Sequence, residues 1–187
     1  MKSNTRKRLA LIRNILSQKE RKIFSESIEK NLINLAEYQN ARAVLLYCSF
    51  GSEVETRSLI QKCLNDKKTT LLPSCLPNKR TMRALKINNF EKDTEIGHLK
   101  IIEPKKSCEE VYKSNIDLVV VPGVGFGEAG ERIGYGKGFY DRFLKGCTGT
   151  YVGICFEKQI TDKIILEEHD VKMHKIVTEK RVIDCQT

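Results

Sequence analysis

The run Ile116-Asp117-Leu118-Val119-Val120-Val121 leads almost directly into a stretch, Gly123 to Gly138, that holds seven of the chain's 12 glycines. The first segment is apolar and β-branched enough for a buried strand. The second cannot be a stable helix, because Gly134, Gly136 and Gly138 each weaken one. Helix becomes possible only from about Phe139 to Leu144. Strand, glycine loop and short helix in that order restrict the chain to folds in which a loop crosses the end of a sheet. Glycines there permit positive φ, so successive N–H groups can turn toward one anion. The helix start adds free N–H groups and a dipole that favours phosphate.

The surrounding pattern extends this unit. Residues 2–16 have helical character, and Ser17-Gln18-Lys19-Glu20 has the form of a capping box opening a second helix to about Glu37. Ala43 to Cys48 is a short buried strand, and Thr56 starts a helix with Leu59, Ile60, Cys63 and Leu64 on one face. Thr69 to Leu72 is a strand ended by Pro73, and residues 81–87 alternate as another. Ser107 to Lys113 suits one or two helical turns; Tyr151–Phe156 and Ile176–Thr178 are further strands. Strands alternating with helices predict an α/β layered fold with a mainly parallel sheet. With 187 residues and neither repeat nor linker, residues 1–187 read as one domain. Such sheets place ligands beyond the carboxyl ends of their strands, which singles out the loops after Cys48, Val121 and Phe156.

Composition excludes several classes. No apolar run approaches the roughly 20 residues of a membrane span. The basic N-terminus is not a signal peptide, since Arg13 interrupts its apolar part and no small-residue cleavage site follows; it reads as the start of the mature chain. Seven cysteines form an odd set without a C-x-x-C pair, which fits a reducing cytoplasm and neither a disulfide framework nor a zinc ribbon. Of the formal charge of +9, residues 1–30 carry +6, from nine Lys/Arg against three Glu. Such a field attracts nucleic acid, acidic lipid, or phosphorylated and carboxylated small molecules, or it is simply a solvated face.

The glycine loop matches neither familiar phosphate motif. Gly125-Phe126-Gly127-Glu128-Ala129-Gly130 fits G-x-G-x-x-G literally, but no helix can follow it. A P-loop would need glycine at Glu131 and Ser or Thr at Gly138. What remains, Arg132 to Asp141, combines two cations, alternating glycines, the aromatics Tyr135, Phe139 and Tyr140, and one carboxylate. Cations suit triphosphate oxygens, aromatic faces suit a planar ring, and Asp141 suits Mg²⁺. A series of turns, with Asp141 favouring the first turn of the helix, also fits. On a helical wheel Lys2, Arg6 and Arg13 fall within about 40° of one another, on the side shared by Leu9 and Leu16. Their heads could reach an anion in a cleft, or their stems could cover apolar surface. Glu53 or Glu55 could bond a ring bearing N–H donors, or one is a loop acid and the other supports the coming helix. Asp170 is either a metal carboxylate or part of an acidic turn, while Met82 and Phe90 read as core.

Together these segments resemble the 5-formyltetrahydrofolate cyclo-ligases, also called 5,10-methenyltetrahydrofolate synthetases. The resemblance runs through Lys2-x-x-x-Arg6, Tyr47-x-Ser49-Phe50-Gly51-Ser52-Glu53-Val54-Glu55-Thr56 and Asp117–Phe126. It continues through Gly130-x-Arg132-Ile133-Gly134-Tyr135-Gly136-Lys137-Gly138-Phe139-Tyr140-Asp141-Arg142 and His169-Asp170-Val171. It implies a single Rossmann-like α/β domain, with a mainly parallel sheet flanked by helices. It implies an ATP site of Lys2, Arg6 and Arg132, Ile133, Gly134, Tyr135, Gly136, Lys137, Gly138, Phe139 and Tyr140. A folate side would comprise Cys48, Glu53 and the stretch Tyr135, Gly136, Lys137, Gly138, Phe139, with magnesium on Asp141 and Asp170. Lys137, Arg132 and Tyr135 would be catalytic. Thr5 stands where a leucine is usual, Glu55 where Asp is frequent and His174 at a usual acid position, and a proline often present near the last motif is absent.

The implied reaction closes 5-formyltetrahydrofolate to the 5,10-methenyl form with ATP and Mg²⁺, releasing ADP and phosphate. The formyl oxygen attacks the γ-phosphate, and N10 then attacks the activated carbon. A monomeric cytoplasmic enzyme with small-molecule substrates, and no nucleic-acid or membrane partner, is the expectation. A basic nucleic-acid-binding module and a sugar-phosphate isomerase remain the competing classes on composition and fold alone. The glycine-loop resemblance favours the cyclo-ligase.

Overall fold

A computed structural model describes residues 2–76, 81–97, 100–162 and 164–185. In chain order, α1 (Lys2–Ile15), α2 (Gln18–Ile33) and α3 (Ala36–Asn40) lead to β1 (Ala43–Leu45) and α4 (Arg57–Asn65). Then come β2 (Thr69–Leu76), β3 (Thr81–Ile87), α5 (Phe90–Asp93), β4 (Thr94–Ile96), β5 (Ile102–Pro104) and β6 (Glu110–Val111). The last third holds β7 (Leu118–Pro122), β8 (Gly125–Phe126), β9 (Arg132–Ile133), α6 (Phe139–Leu144), β10 (Thr150–Ile154), β11 (Lys175–Val177) and β12 (Val182–Asp184).

Eight of these strands form one sheet in the order β12-β11-β10-β7-β1-β2-β3-β6. Its five central strands, β11, β10, β7, β1 and β2, pair in parallel. Antiparallel pairs occur only toward the edges, at β11–β12, β2–β3 and β3–β6. The mainly parallel α/β fold expected from the alternation is present. β7 lies between β10 and β1, and its side chains alternate between two covered faces. Leu118 and Val120 join the cluster of Ile28, Leu32, Tyr38, Leu59 and Ile60 beneath α2, α3 and α4. Val119 and Val121 join Phe126, Phe143 and Ile176 on the other face. Burial on both faces explains why β7 reads as a continuous apolar run rather than an alternating one.

Local signals explain most boundaries. Ser17 caps α2 by accepting from the Glu20 N–H at 3.2 Å, while a Glu20 carboxylate oxygen accepts from the Ser17 N–H at 2.8 Å. α2 ends at Ile33 rather than near Glu37, and α3 restarts after the extended residue Leu35. Pro73 does not end β2. Leu71 gives its carbonyl to the Leu46 N–H, so residues 71 and 73 face β1, whose paired register ends at Leu45–Leu71. A proline there forfeits no ladder bond.

Residues 107–112 are not helical: Glu110 and Val111 pair with Leu85 and Ala84 instead, and Lys113 only opens a 3-10 turn over Lys113–Asn115. The edge of β3 supplies backbone partners that outweigh a weak local helical pattern. Inside the glycine stretch, Gly125 and Phe126 pair with Ile133 and Arg132, so its first half is a small hairpin. α1 docks onto that hairpin through a third cluster of Leu9, Val124 and Ile133. Among the described residues, no helix is long and apolar enough to cross a membrane.

Candidate functional site

Two loops beyond the carboxyl ends of β1 and β7, together with α1, bring most of the predicted residues together. The loop after β1 is closed by its own side chains. Thr56 donates to the Tyr47 carbonyl at 2.5 Å and accepts from the Ser49 N–H at 3.1 Å, while Ser49 Oγ accepts from the Thr56 N–H at 3.2 Å. That closure turns Glu53 inward, where it is 4% exposed, and its Oε2 accepts from the Phe50 N–H at 3.1 Å. Glu55 points the other way and is exposed. Of the two acids, Glu53 is therefore the one that faces the site.

The glycine loop meets this acid through Tyr135, whose hydroxyl donates to Glu53 Oε1 at 2.6 Å. Its ring lies 5.4 Å from that of Phe50, and both rings are partly exposed above the buried carboxylate. Burial pushes the Glu53 carboxyl above its ordinary range, although the Tyr135 hydroxyl, the Phe50 N–H and the Arg13 charge pull the other way. Burial, followed by the charge of Glu53, likewise raises the Tyr135 phenol.

α1 braces the glycine loop from outside. Arg6 Nε donates to the Gly134 carbonyl at 2.7 Å. Its guanidinium also lies over Gly136, where φ is +92° and a Cβ would come within 3.3 Å of the Arg6 head. Gly136 is thus required twice, by its backbone and by its neighbour. About two turns further along α1, Arg13 Nη2 donates to Tyr135 Oη at 3.0 Å and Arg13 Nε to Ser52 Oγ at 2.9 Å. Ile133 offers no side chain to this site, because it is buried against Leu9.

The remaining candidates separate by environment. The Lys137 side chain is exposed, with no hydrogen bond or ion pair from its ammonium among the described residues; it lies one residue from Gly136. Arg132 is buried, donating from Nη2 to Asp141 Oδ1 at 2.9 Å and from Nη1 to the Pro122 carbonyl at 3.3 Å. Tyr140 has a buried hydroxyl without a partner, and Arg132 Nε and Arg13 Nη1 are likewise buried and unpaired. Such unpaired atoms are uncommon in folded chains. Three of the four found among the described residues belong to this site. Cys48 sits at the start of the Glu53 loop, and burial pushes its thiol up to about 12, so it offers a neutral contact rather than a nucleophile. Phe139 and Tyr140 pack against the core beneath α6, and Gly138 opens that helix at φ +65°.

Asp141 and Asp170 arrive at one corner from distant parts of the chain. Asp141 Oδ1 accepts from the Val171 N–H at 3.5 Å, which puts Asp141 beside the residue that follows Asp170. Asp170 pairs with Lys2 and accepts from the Glu167 N–H at 2.7 Å. Partial burial would raise the Asp170 carboxyl, but Lys2 and that N–H hold it below the usual carboxylate range. Each carboxylate is a hard oxygen donor of the kind that suits Mg²⁺, and each is paired with a cation, Asp141 with Arg132 and Asp170 with Lys2. Glu167, His169 and Asp170 also bring ligand atoms within 4.8 Å of one another. His174, at the usual acid position, stacks on Tyr151 with ring centres 4.6 Å apart and accepts the Tyr151 N–H at Nδ1, which is a structural role.

Sequence reasoning placed Arg13 on the packed side of α1 without assigning it to the site. Its signal was the shared wheel position with Leu9 and Leu16. Ser52 and Thr56, which shape the acid loop, carried no chemical signal of their own. A separate groove of about 650 Å³, lined from α1 by Arg8, Leu9 and Ile12, contains none of the predicted site residues.

Comparison with known proteins identifies the family and the fold. The family model described as the 5-formyltetrahydrofolate cyclo-ligase family matches residues 1–179. The mouse 5-formyltetrahydrofolate cyclo-ligase is 29% identical over 178 residues, covering 88% of this chain and 86% of that protein. The Escherichia coli K12 protein of the same name is 32% identical over 148 residues, covering 76% and 80%. The NMR structure of Aquifex aeolicus 5,10-methenyltetrahydrofolate synthetase superposes with a TM-score of 0.89 at 32% identity, over 100% of this chain and 93% of that one. The chain belongs to the 5-formyltetrahydrofolate cyclo-ligase family, whose members are ATP-dependent ligases.

Proposed function

We propose that this member of the family closes 5-formyltetrahydrofolate to 5,10-methenyltetrahydrofolate, using ATP with Mg²⁺, in the cleft between Glu53 and the glycine loop. The observation that carries this reading is the position of Tyr135. Its hydroxyl is bonded to Glu53, while the adjoining Gly134–Lys137 segment is gripped by Arg6 and carries an exposed ammonium. One short loop therefore borders both a buried acid suited to ring N–H donors and a cationic, glycine-lined surface suited to phosphates.

In this reading the pterin ring lies beside Glu53, Cys48 and the Tyr135–Phe139 stretch. The triphosphate lies along residues 132–140, with Lys2 and Arg6 contributing from α1. The formyl oxygen attacks the γ-phosphorus, and the bond from that phosphorus to the β,γ-bridging oxygen breaks to release ADP. N10 then attacks the formyl carbon, the C–O bond breaks with loss of phosphate, and N10 gives up its proton. Lys137 and Arg132 neutralise charge on the transferred group, and the glycines allow close backbone approach. Asp141 and Asp170 would hold Mg²⁺, which would offset triphosphate charge.

The test is direct. Purified protein is mixed with 5-formyltetrahydrofolate and Mg²⁺, with and without ATP, while methenyltetrahydrofolate absorbance is followed. An ATP-dependent rise supports the reading; a flat trace from folded protein with authentic substrate rejects it.

A further inference from the structure

Arg13 lies between the two loops of the site without belonging to either. It is 6% exposed, and its bonds reach Ser52 in the acid loop and Tyr135 in the glycine loop. Its neighbour Asn14 accepts from the Ser52 hydroxyl at 2.5 Å, which steadies the first of those contacts. A guanidinium can only donate. Once Arg13 Nη2 donates to Tyr135 Oη, the phenolic proton is left to point at the nearest acceptor, Glu53 Oε1 at 2.6 Å. A buried carboxylate without such bonds would take up a proton and become a poorer acceptor for N–H donors.

We propose that Arg13 is a positioning residue for the folate side of the site: it aims the Tyr135 hydroxyl at Glu53 and thereby keeps Glu53 an ionised acceptor for the ring N–H groups of the substrate. The proposal rests on the reading of Glu53 as the folate-contacting acid. The groups that face Glu53 are Arg13 from α1, Tyr135 from the glycine loop, the Phe50 N–H from its own loop, Tyr47 after β1 and Tyr140 from α6. Only Arg13 in this set carries a fixed positive charge. Its removal deletes that charge and releases the Tyr135 hydroxyl, so Glu53 ionises at higher pH.

The experiment measures kcat and both KM values for Arg13→Met, Tyr135→Phe, their double mutant and Glu53→Gln across about pH 5 to 9. Arg13→Met raises the KM for 5-formyltetrahydrofolate about tenfold near neutrality, the size expected for a bond to a charged group. The KM for ATP stays within about twofold. The acid limb of kcat/KM for the folate moves to higher pH, so the defect shrinks as the medium becomes alkaline. In the Tyr135→Phe background, Arg13→Met adds no further rise in folate KM beyond the loss of its direct charge. A folded Arg13→Met with an unshifted acid limb, or with both KM values rising together, overturns the proposal. Should Arg13→Met fail to fold, Tyr135→Phe carries the test, since it removes one hydroxyl and must shift the same limb. A raised folate KM in Glu53→Gln beside an unshifted Arg13→Met overturns this proposal alone. An unchanged folate KM in Glu53→Gln overturns it together with the reading of Glu53.

Discussion

In the loop after β1, Thr56 and Ser49 bond to each other's backbone and Glu53 bonds to the Phe50 N–H, so the backbone of the turn is closed largely by its own residues, with Arg13, Asn14 and Ser25 adding bonds from α1 and α2. In the glycine loop the corresponding bonds come from elsewhere: Arg6 holds the Gly134 carbonyl, Arg13 the Tyr135 hydroxyl and Arg142 the Lys137 carbonyl. One loop is closed mainly by the short polar side chains of Ser49 and Thr56 within it. The other has traded side chains for glycines, which in the proposed reading would let phosphate approach, and its carbonyls and Tyr135 hydroxyl are held by cations from α1 and α6. The cations that shape the second loop are the same kind of group that would grip its ligand. Damage to the first loop should therefore appear as lost stability or folate affinity, and damage to the second as lost turnover or nucleotide affinity.

The strongest way to break this contrast is Lys137→Ala. Its ammonium has no bonding partner among the described residues, so the thermal midpoint should hold while kcat falls by about 10²- to 10³-fold, as when a donor to developing charge is lost. An unchanged kcat in the folded variant would remove Lys137 from the reaction. Glu53→Gln follows, raising the folate KM by about 10- to 100-fold through loss of a charged acceptor. Its stability should move the other way. Because the folded-state carboxyl lies above its ordinary value, the native state binds more protons than the unfolded state in that window. The Glu53 contribution is favourable at low pH and is lost as pH rises through the folded value. The variant's thermal midpoint should accordingly gain on wild type from pH 4 toward pH 7, and a constant gap would deny that the buried charge costs stability.

Thr56→Val tests the self-held loop. The residue is fully buried, so loss of its bonds should lower the unfolding free energy by about 1–3 kcal/mol, readable by urea titration, with the ATP KM unchanged. Arg6→Met is the mildest. It should raise the ATP KM by about three- to tenfold and leave the folate KM alone, and a folate effect would blur the division between the loops.

The buried strand at Leu118–Pro122, the capping box at Ser17 and the helix at Phe139–Leu144 were legible because each rests on neighbours in sequence. Glu53 was legible as one of two acids, and only the inward turn imposed by Thr56 chose between it and Glu55. β6 and β12 were not legible. They are two and three residues long and owe their extended form to an unpaired neighbouring strand rather than to their own composition. The bridge from Arg13 to Tyr135 was hidden for a similar reason. A cation beside leucines on a wheel says which way it points, and nothing about what waits there.

Apart from Ser52, the site partners of α1 lie far along the chain. Lys2 meets Asp170 across 168 positions, Arg6 meets Gly134 across 128 and Arg13 meets Tyr135 across 122. Contacts of such separation require long loops to close before they return any stabilisation, which makes them slow to form. During synthesis α1 emerges well before the glycine loop, so its docking surface is completed only after that loop has emerged. The sheet can assemble while this helix still waits. Catalytic competence should therefore lag behind recovery of secondary structure in a refolding experiment, because docking of the first helix is the step that finishes the cleft.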